Sequence, residues 1–243
     1  MYRKIEEDLK KWKADFKMPL MLVGARQTGK TYILDDFCKN NYQKYIYINL
    51  DKEEDIKNVF EYTIDPEIII EKIEIIKGID IDIENTVIFF DEIQVSERAI
   101  TSLKYFCESD KPYKIVCAGS LLGVKINRFK SSFPVGKVII KYLYPMDFEE
   151  YLLALGEEKL IEEIKKHYES NEAIINPIHE KAIDLYKNLY KIYVESQYMK
   201  EKFIEFGLTQ TELKYNFRNP KIKFEQIKST LNPVKFVFWG RVI

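Results

Sequence analysis

Residues 24–31 read GARQTGKT and lie between a short apolar run, Pro19–Val23, and an amphipathic segment, Thr31–Lys39. They fit the pattern GxxxxGK followed by Ser or Thr, in which a buried strand leads through a glycine-rich loop into a helix. The glycines allow successive backbone N–H groups to turn inward, and the helix N-terminus adds a partial positive charge at the same place. The segment therefore predicts a strand–loop–helix unit that binds phosphate groups.

Two side chains at the end of this loop have specific roles in the prediction. Lys30 reaches the β- and γ-phosphates of a nucleotide, and Thr31 offers its hydroxyl to Mg²⁺. A chance glycine-rich turn is the alternative, and the strand before the loop and the helix after it argue against that alternative. The predicted nucleotide-binding residues are Gly24, Ala25, Arg26, Gln27, Thr28, Gly29, Lys30 and Thr31.

A second part of the site is predicted where two later strands end. The apolar run Val87–Phe90 is followed by Asp91 and Glu92, which places two carboxylates next to each other in the chain. We expect Asp91 to hold the magnesium shell and Glu92, about 3.3 Å further along the chain, to polarise an attacking water. Ser120 ends the next strand and would face the γ-phosphate as a sensor if that strand lies between the other two.

Short apolar runs alternate with helical patterns along the chain. Such alternation predicts an α/β fold whose parallel sheet is covered by helices on both faces. The predicted strands are Pro19–Val23, Tyr45–Leu50, Val87–Phe90, Lys114–Ala118 and Val138–Leu143. The predicted helices are Arg3–Trp12, Thr31–Lys39, Glu53–Tyr62, Pro66–Lys77, Ser96–Phe106 with Ser96 as N-cap, Phe148–Leu155, Leu160–Tyr168 and Ile183–Tyr193.

Composition limits the function classes. The chain has 243 residues, 46% of them hydrophobic and 32% charged, which is typical of a globular protein. Its net charge of −1 excludes a strongly basic whole-protein nucleic-acid binder. No apolar run reaches the roughly 18 residues of a membrane span, and the first residues lack a signal-peptide core, so we expect a cytoplasmic protein without membrane contact. Three cysteines and two histidines lack zinc-site spacing.

The last 30 residues differ in composition from the rest. Lys214–Ile243 holds seven Lys or Arg side chains against one Glu, with phenylalanines and Trp239 interleaved. This composition fits two interpretations, single-stranded nucleic-acid binding by basic and aromatic side chains and a poorly folded remnant, and the sequence does not favour the first over the second. Elsewhere, the candidates for stabilising charge on a transferring phosphate are Arg26, Arg98, Arg128 and Lys137.

Four segments in this order resemble a branch of prokaryotic AAA-type ATPases: GARQTGKT, FFDEIQ, AGSLLG and FPVGKVIIKYLYPMDFEEYL. The resemblance covers about residues 1–194. The matching residues outside the loop glycines and lysine are Arg26, Gln94, Tyr144, Pro145, Met146, Phe148, Glu150 and Tyr151. It implies a three-layer P-loop NTPase fold whose five-stranded parallel sheet has the order 5-1-4-3-2. It also implies ATP rather than GTP, with Thr31 and Asp91 at Mg²⁺, Glu92 as base and Ser120 as sensor.

The same resemblance suggests three segments: an ATPase domain at 1–155, a helical segment at 156–194 and a divergent tail at 195–243. Members of the branch continue with a Gly-Gly-Met-Pro-like turn and a further C-terminal domain, where this chain has Glu195-Ser196-Gln197-Tyr198. A natural short variant and a truncated or frame-shifted gene both remain open.

The predicted function is Mg²⁺-dependent ATP hydrolysis that drives a conformational switch. The alternatives are a non-catalytic nucleotide-binding or nucleic-acid-associated module and a P-loop phosphotransferase. A second copy of the chain and nucleic acid are the macromolecular partners left open.

Overall fold

The computed structural model describes residues 2–120, 134–170, 176–187, 192–194 and 197–213. The chain divides into two units, Lys4–Tyr144 and the described residues of Met1–Arg3 with Pro145–Ile243. Arg128 and the basic tail Lys214–Ile243, both singled out from the sequence, lie outside the described residues.

The first unit alternates strands and helices. Its strands are β1 (Leu20–Gly24), β2 (Lys44–Asn49), β3 (Thr86–Asp91), β4 (Lys114–Ser120) and β5 (Ile139–Leu143). Its helices are α1 (Ile5–Ala14), α2 (Lys30–Asn41), α3 (Glu54–Tyr62), α4 (Pro66–Lys77) and α5 (Glu97–Glu108), with a 3-10 turn at Ile93–Val95.

The five strands form one parallel sheet in the order β2-β3-β4-β1-β5. This is the predicted order 5-1-4-3-2 written from the other edge, so the predicted α/β P-loop fold is confirmed. Because β4 lies between β1 and β3, the last residues of these three strands meet at one edge of the sheet. Gly24 at the end of β1 pairs with Ser120 at the end of β4.

Alternate side chains of each strand pack into two different hydrophobic clusters. In β3, Val87 and Phe89 join α1 and α2 on one face, whereas Ile88 and Phe90 join α3, α4 and α5 on the other. Each buried Phe or Ile side chain contributes about 1.5–3 kcal/mol relative to an exposed one. Burial on both faces explains why these strands are continuous apolar runs in the sequence, and it gives the predicted three layers of helix, sheet and helix.

A side-chain cap fixes the start of α5, the helix that follows β3. The Ser96 hydroxyl accepts a hydrogen bond from Ala99 N at 3.1 Å, which confirms the predicted N-cap of α5. The same hydroxyl donates to Glu61 Oε1 at 3.0 Å and so connects α5 with α3. The helix after β3 therefore starts at a defined residue, which also fixes the length of the turn that follows Asp91.

The second unit contains α6 (Phe148–Ala154), α7 (Glu158–Ser170), α8 (Asn176–Lys187), β6 (Ile192–Val194), α9 (Gln197–Glu205) and β7 (Thr211–Leu213). Strands β6 and β7 pair in parallel. The predicted helix Ile183–Tyr193 is therefore wrong at Ile192 and Tyr193, which lie in a strand. A strand three residues long shows no periodicity of its own, and its partner lies about twenty residues further along the chain.

Aromatic packing forms the core of this second unit. The rings of Phe148 and Tyr186 stack with centroids 4.0 Å apart, and Phe203 packs edge-on against Tyr186 at 5.8 Å. The carboxylate of Glu150 closes a capping box at the start of α6 and pairs with Arg3 Nε at 3.2 Å. Within the described residues, no helix has the length and apolar composition that would be needed to cross a membrane.

Candidate functional site

The phosphate loop begins where β1 meets its neighbour β5. A methyl group on Gly24 would lie 2.2 Å from the carbonyl oxygen of Leu143, so only glycine fits at this strand end. Gly29 has a φ of 89° and precedes the first residue of α2, and Gln27 has a φ of 63°. These two left-handed residues turn the chain sharply within the loop. The left-handed conformation is unstrained for a glycine such as Gly29, whereas it strains the backbone of a residue with a side chain such as Gln27.

Lys30 is buried at the first turn of α2. Its ammonium donates to the carbonyl oxygens of Ala25 at 2.5 Å and Gly24 at 3.2 Å, so the side chain lies along the inside of the loop. Burial lowers the pKa of Lys30, and the nearby carboxylates of Glu92 and Asp91 oppose that shift. A cation held at the centre of the loop is suited to bind phosphate oxygens.

Thr31 and Asp91 meet between the loop and the end of β3. The Thr31 hydroxyl donates to Asp91 Oδ2 at 3.1 Å, and its distance to Oδ1 is 3.3 Å. The Asp91 carboxylate is almost fully buried. One hydroxyl and one carboxylate in contact are the hard oxygen ligands that Mg²⁺ takes when phosphates and waters complete its shell. These residues fit the predicted magnesium site.

Tyr47 is a member of this site that the sequence analysis did not single out. Its phenol donates to Asp91 Oδ2 at 2.9 Å, and the Asn49 side-chain amide donates to the phenol oxygen at 3.2 Å. Burial, together with the Asp91 carboxylate, raises the pKa of Tyr47, so the phenol keeps its proton and acts as a donor. Strand β2 thus supplies a second donor, besides Thr31, to the same oxygen of Asp91.

We expect Tyr47→Phe to weaken the magnesium-dependent part of ATP binding by about 10-fold, because partners that orient a metal ligand have effects of this size. The measurement compares ATP affinity with Mg²⁺ and with a chelator. Tyr45→Phe is the matched control, since the Tyr45 phenol donates at 2.7 Å to Asp35, a carboxylate outside the site. A magnesium effect that is equal in both variants and in the parental protein would contradict the role of Tyr47.

Glu92 and Ser120 are joined through Gln94, which sits in the 3-10 turn after β3. The Gln94 amide nitrogen donates to Glu92 Oε2 and, at 3.2 Å, to Ser120 Oγ. Ser120 N in turn donates to Gln94 Oε1 at 3.1 Å. Glu92 has a left-handed backbone with φ of 52°, which is costly for a residue with a side chain. The strand end therefore places both predicted catalytic residues within one hydrogen-bonded cluster.

The candidates for an additional cation differ in their placement. Arg26 is exposed within the loop itself. Arg98 donates from Nε to the carbonyl oxygen of Phe60 at 2.7 Å. Lys137 lies before the first residue of β5, at the amino-terminal ends of the strands, whereas the phosphate loop lies at their carboxyl-terminal ends. Its side chain pairs with Glu108 at 3.0 Å. The suggestion that Lys137 stabilises phosphate charge in this site is therefore wrong.

Sequence reasoning therefore missed Tyr47 and gave Gln94 no role. Tyr47 shows only as part of the β-rich run YIYINL, and no motif connects it to Asp91 forty-four residues later. The polar end of that run, Asn49, was the available signal, since polar residues at the carboxyl ends of parallel strands line ligand sites.

Comparison with known proteins gives one family match. The family described as AAA domain matches residues 17–152, more than half of the chain. The matched range contains the phosphate loop, Tyr47, Asp91, Glu92 and Ser120. No curated protein matches the chain.

The solved structures that are similar to this chain include the following two. The first is a Walker-type ATPase of Pyrococcus abyssi, with 18% identity and a TM-score of 0.44; the match covers 75% of this chain and 62% of that protein. The second is the Orc1 protein of Aeropyrum pernix in complex with DNA, with 15% identity and a TM-score of 0.42; the match covers 65% of this chain and 50% of that protein. The chain thus spans less than two thirds of either protein. The order of its own sheet, rather than these similarities, establishes the fold.

Proposed function

Because this chain belongs to the AAA-domain family of P-loop ATPases, which its residues 17–152 match, we propose that it binds ATP with Mg²⁺ and hydrolyses it. The observation that carries the proposal is the contact of Thr31 with Asp91. That contact joins the phosphate loop to the end of β3. The backbone N–H of Glu92 donates to the same carboxylate, at Asp91 Oδ1, at 3.0 Å, and the Glu92 side chain is close enough to Lys30 to affect its pKa. Nucleotide turnover would then change the conformation of the protein rather than modify a small molecule.

Each residue of the site has a separate role in the proposed reaction. The backbone of Gly24–Gly29 and the Lys30 ammonium bind and orient the β- and γ-phosphates. Thr31 and Asp91 would hold Mg²⁺, which neutralises charge on the phosphate oxygens when it is bound. Glu92 accepts a proton from water as the water oxygen bonds to the γ-phosphorus and the bond to the bridging oxygen of ADP breaks.

A product assay tests this function against the phosphotransferase alternative. The parental protein is incubated with Mg·ATP in buffer that contains no acceptor, and free phosphate and ADP are measured. We expect equal amounts of both products. ADP formation that requires an added acceptor hydroxyl would favour phosphoryl transfer, and tight ATP binding without any phosphate release would favour a non-catalytic nucleotide module.

Nucleic acid is the partner that we propose for the basic segment Lys214–Ile243. Its seven Lys and Arg side chains would neutralise phosphates, and Phe236 and Trp239 would stack on bases. The experiment removes residues 214–243 only, because α9 and the turn that follows it contribute Phe203 and Leu208 to the core of the second unit. A matched chain with the seven basic residues changed to Gln controls for the loss of length.

We expect the full chain to bind single-stranded DNA with a log–log salt slope of about −0.7 per neutralised phosphate. Both altered chains should lose that binding and keep the parental affinity for ATP, because the residues of the nucleotide site lie before 121. DNA binding that is insensitive to salt, or that survives removal of 214–243, would contradict the role of the segment.

A further inference from the structure

Gln94 uses its whole side-chain amide to connect two groups of the site. The amide has two N–H donors and one acceptor oxygen. The oxygen accepts from Ser120 N at 3.1 Å, and the nitrogen contacts both the Glu92 carboxylate and, at 3.2 Å, the Ser120 hydroxyl. Gln94 is partly buried in the 3-10 turn Ile93–Val95.

These partners fix which way the amide faces. A backbone N–H can only donate, so the atom nearest to Ser120 N must be the Gln94 oxygen. The NH₂ group is then left for the carboxylate of Glu92, which can only accept while it is ionised. A flipped amide would set the NH₂ group against Ser120 N and the amide oxygen against the carboxylate.

We infer that Gln94 is a positioning residue, an inference that rests on the ATP hydrolysis proposed above. Through its hydrogen bonds to Ser120, Gln94 orients the Glu92 carboxylate toward the attacking water. Glu92 follows the last residue of β3 in a left-handed conformation, so the strand ladder does not set the direction of its side chain. Gln94 supplies that direction from β4, because its amide is anchored on the backbone of Ser120.

The link also gives Ser120 a role beyond contact with phosphate. The Ser120 hydroxyl shares the Gln94 nitrogen with Glu92. Because the NH₂ group has two N–H donors, it can serve the Glu92 carboxylate and the Ser120 hydroxyl at the same time. A γ-phosphate bound by the Ser120 hydroxyl would then be connected to the Glu92 carboxylate through the Gln94 side chain.

The test measures kcat and KM for ATP in Gln94→Ala and Gln94→Glu. We expect Gln94→Ala to lower kcat by about 10²-fold, the effect of misplacing a reacting group by about 1 Å, and to leave KM unchanged. Gln94→Glu keeps the length but sets a second carboxylate against Glu92, so its loss of kcat should be at least as large. Val95→Ala, an exposed position of the same turn, is the matched control and should keep the parental kcat.

A double-mutant cycle separates positioning from a structural role. In the Glu92→Gln background, Gln94→Ala should cause no further loss of kcat, because the group through which Gln94 acts is already gone. Losses that multiply in the double variant, or a fall in ATP affinity of Gln94→Ala, would show a structural role and overturn the inference. Parental or raised kcat in Gln94→Ala would also overturn it and leave the proposed function standing. A parental protein that binds ATP and releases no phosphate would overturn both.

Discussion

Glu92→Gln is expected to lower the rate of ATP hydrolysis by about 10²–10⁴-fold, the contribution of a general base, while Mg·ATP still binds. The substitution keeps the size of the side chain and an acceptor oxygen for the Gln94 amide, but it removes the carboxylate that takes the proton from water. Phosphate release under saturating Mg·ATP gives the rate, and a separate titration gives the affinity.

The matched control for this substitution is Glu97→Gln. Glu97 is an exposed carboxylate in the first turn of α5, five residues further along the chain. Its loss should leave both the rate and the affinity at parental values, because it has no place in the site. Hydrolysis by Glu92→Gln at the parental rate would show that another group activates the water.

Lys30→Ala is expected to weaken ATP binding by about 10–150-fold, because a hydrogen bond to a charged group contributes about 1.5–3 kcal/mol. The ammonium that now lies between Gly24 O and Ala25 O would no longer bind the phosphates. The backbone of the loop remains, so the fold should persist. Isothermal titration with ATP measures the change, and circular dichroism checks the fold.

Two further variants make the Lys30 result specific. Lys39→Ala removes an exposed lysine from the same helix, where it pairs with Asp35, and should leave ATP affinity unchanged. Lys30→Met keeps the apolar stem of the side chain packed and should lose as much affinity as Lys30→Ala. Unchanged ATP affinity in a folded Lys30 variant would contradict the assigned phosphate site.

The fold was largely predictable because its strands are buried on both faces. A strand of that kind is a short apolar run in any sequence, and Val87–Phe90 lies within β3, which extends one residue beyond it at each end. Helix α4 was predicted with its observed bounds, Pro66–Lys77. Asp65 caps the first turn of the helix, and Gly78 ends the helix in a left-handed conformation. Residues next to the helix in the sequence therefore mark both of its ends.

The phosphate loop and the end of β3 were predictable for a related reason. Their residue types are dictated by local geometry, as Gly24 shows, because any side chain there would collide with the backbone of β5. The contact of Thr31 with Asp91 followed once the motif and the strand order were known. The catalytic roles of Glu92 and Ser120 remain predictions, and Glu92→Gln tests the first of them.

The contacts that the sequence did not predict join side chains from different strands and turns. Tyr47 reaches Asp91 from the edge strand β2, and Gln94 reaches Ser120 from a turn twenty-six residues earlier. Neither pair has a sequence spacing that a motif would reveal. Lys137 was assigned to the site for the same reason, because the sequence does not show which end of a strand faces the site. Lys137 precedes the first residue of β5, and so lies at the end of the strands away from the phosphate loop, where it pairs with Glu108.

The most direct test of the account identifies the nucleotide that the protein retains after a single turnover. The parental protein and Glu92→Gln are each mixed with a substoichiometric amount of Mg·ATP, incubated, passed through a desalting column and quenched in acid. We predict ADP on the parental protein and intact ATP on Glu92→Gln, with little nucleotide of either kind on Lys30→Ala. Intact ATP on both the parental protein and Glu92→Gln, or no nucleotide retained by either, would contradict a site in which Lys30 binds ATP and Glu92 activates the water that cleaves it.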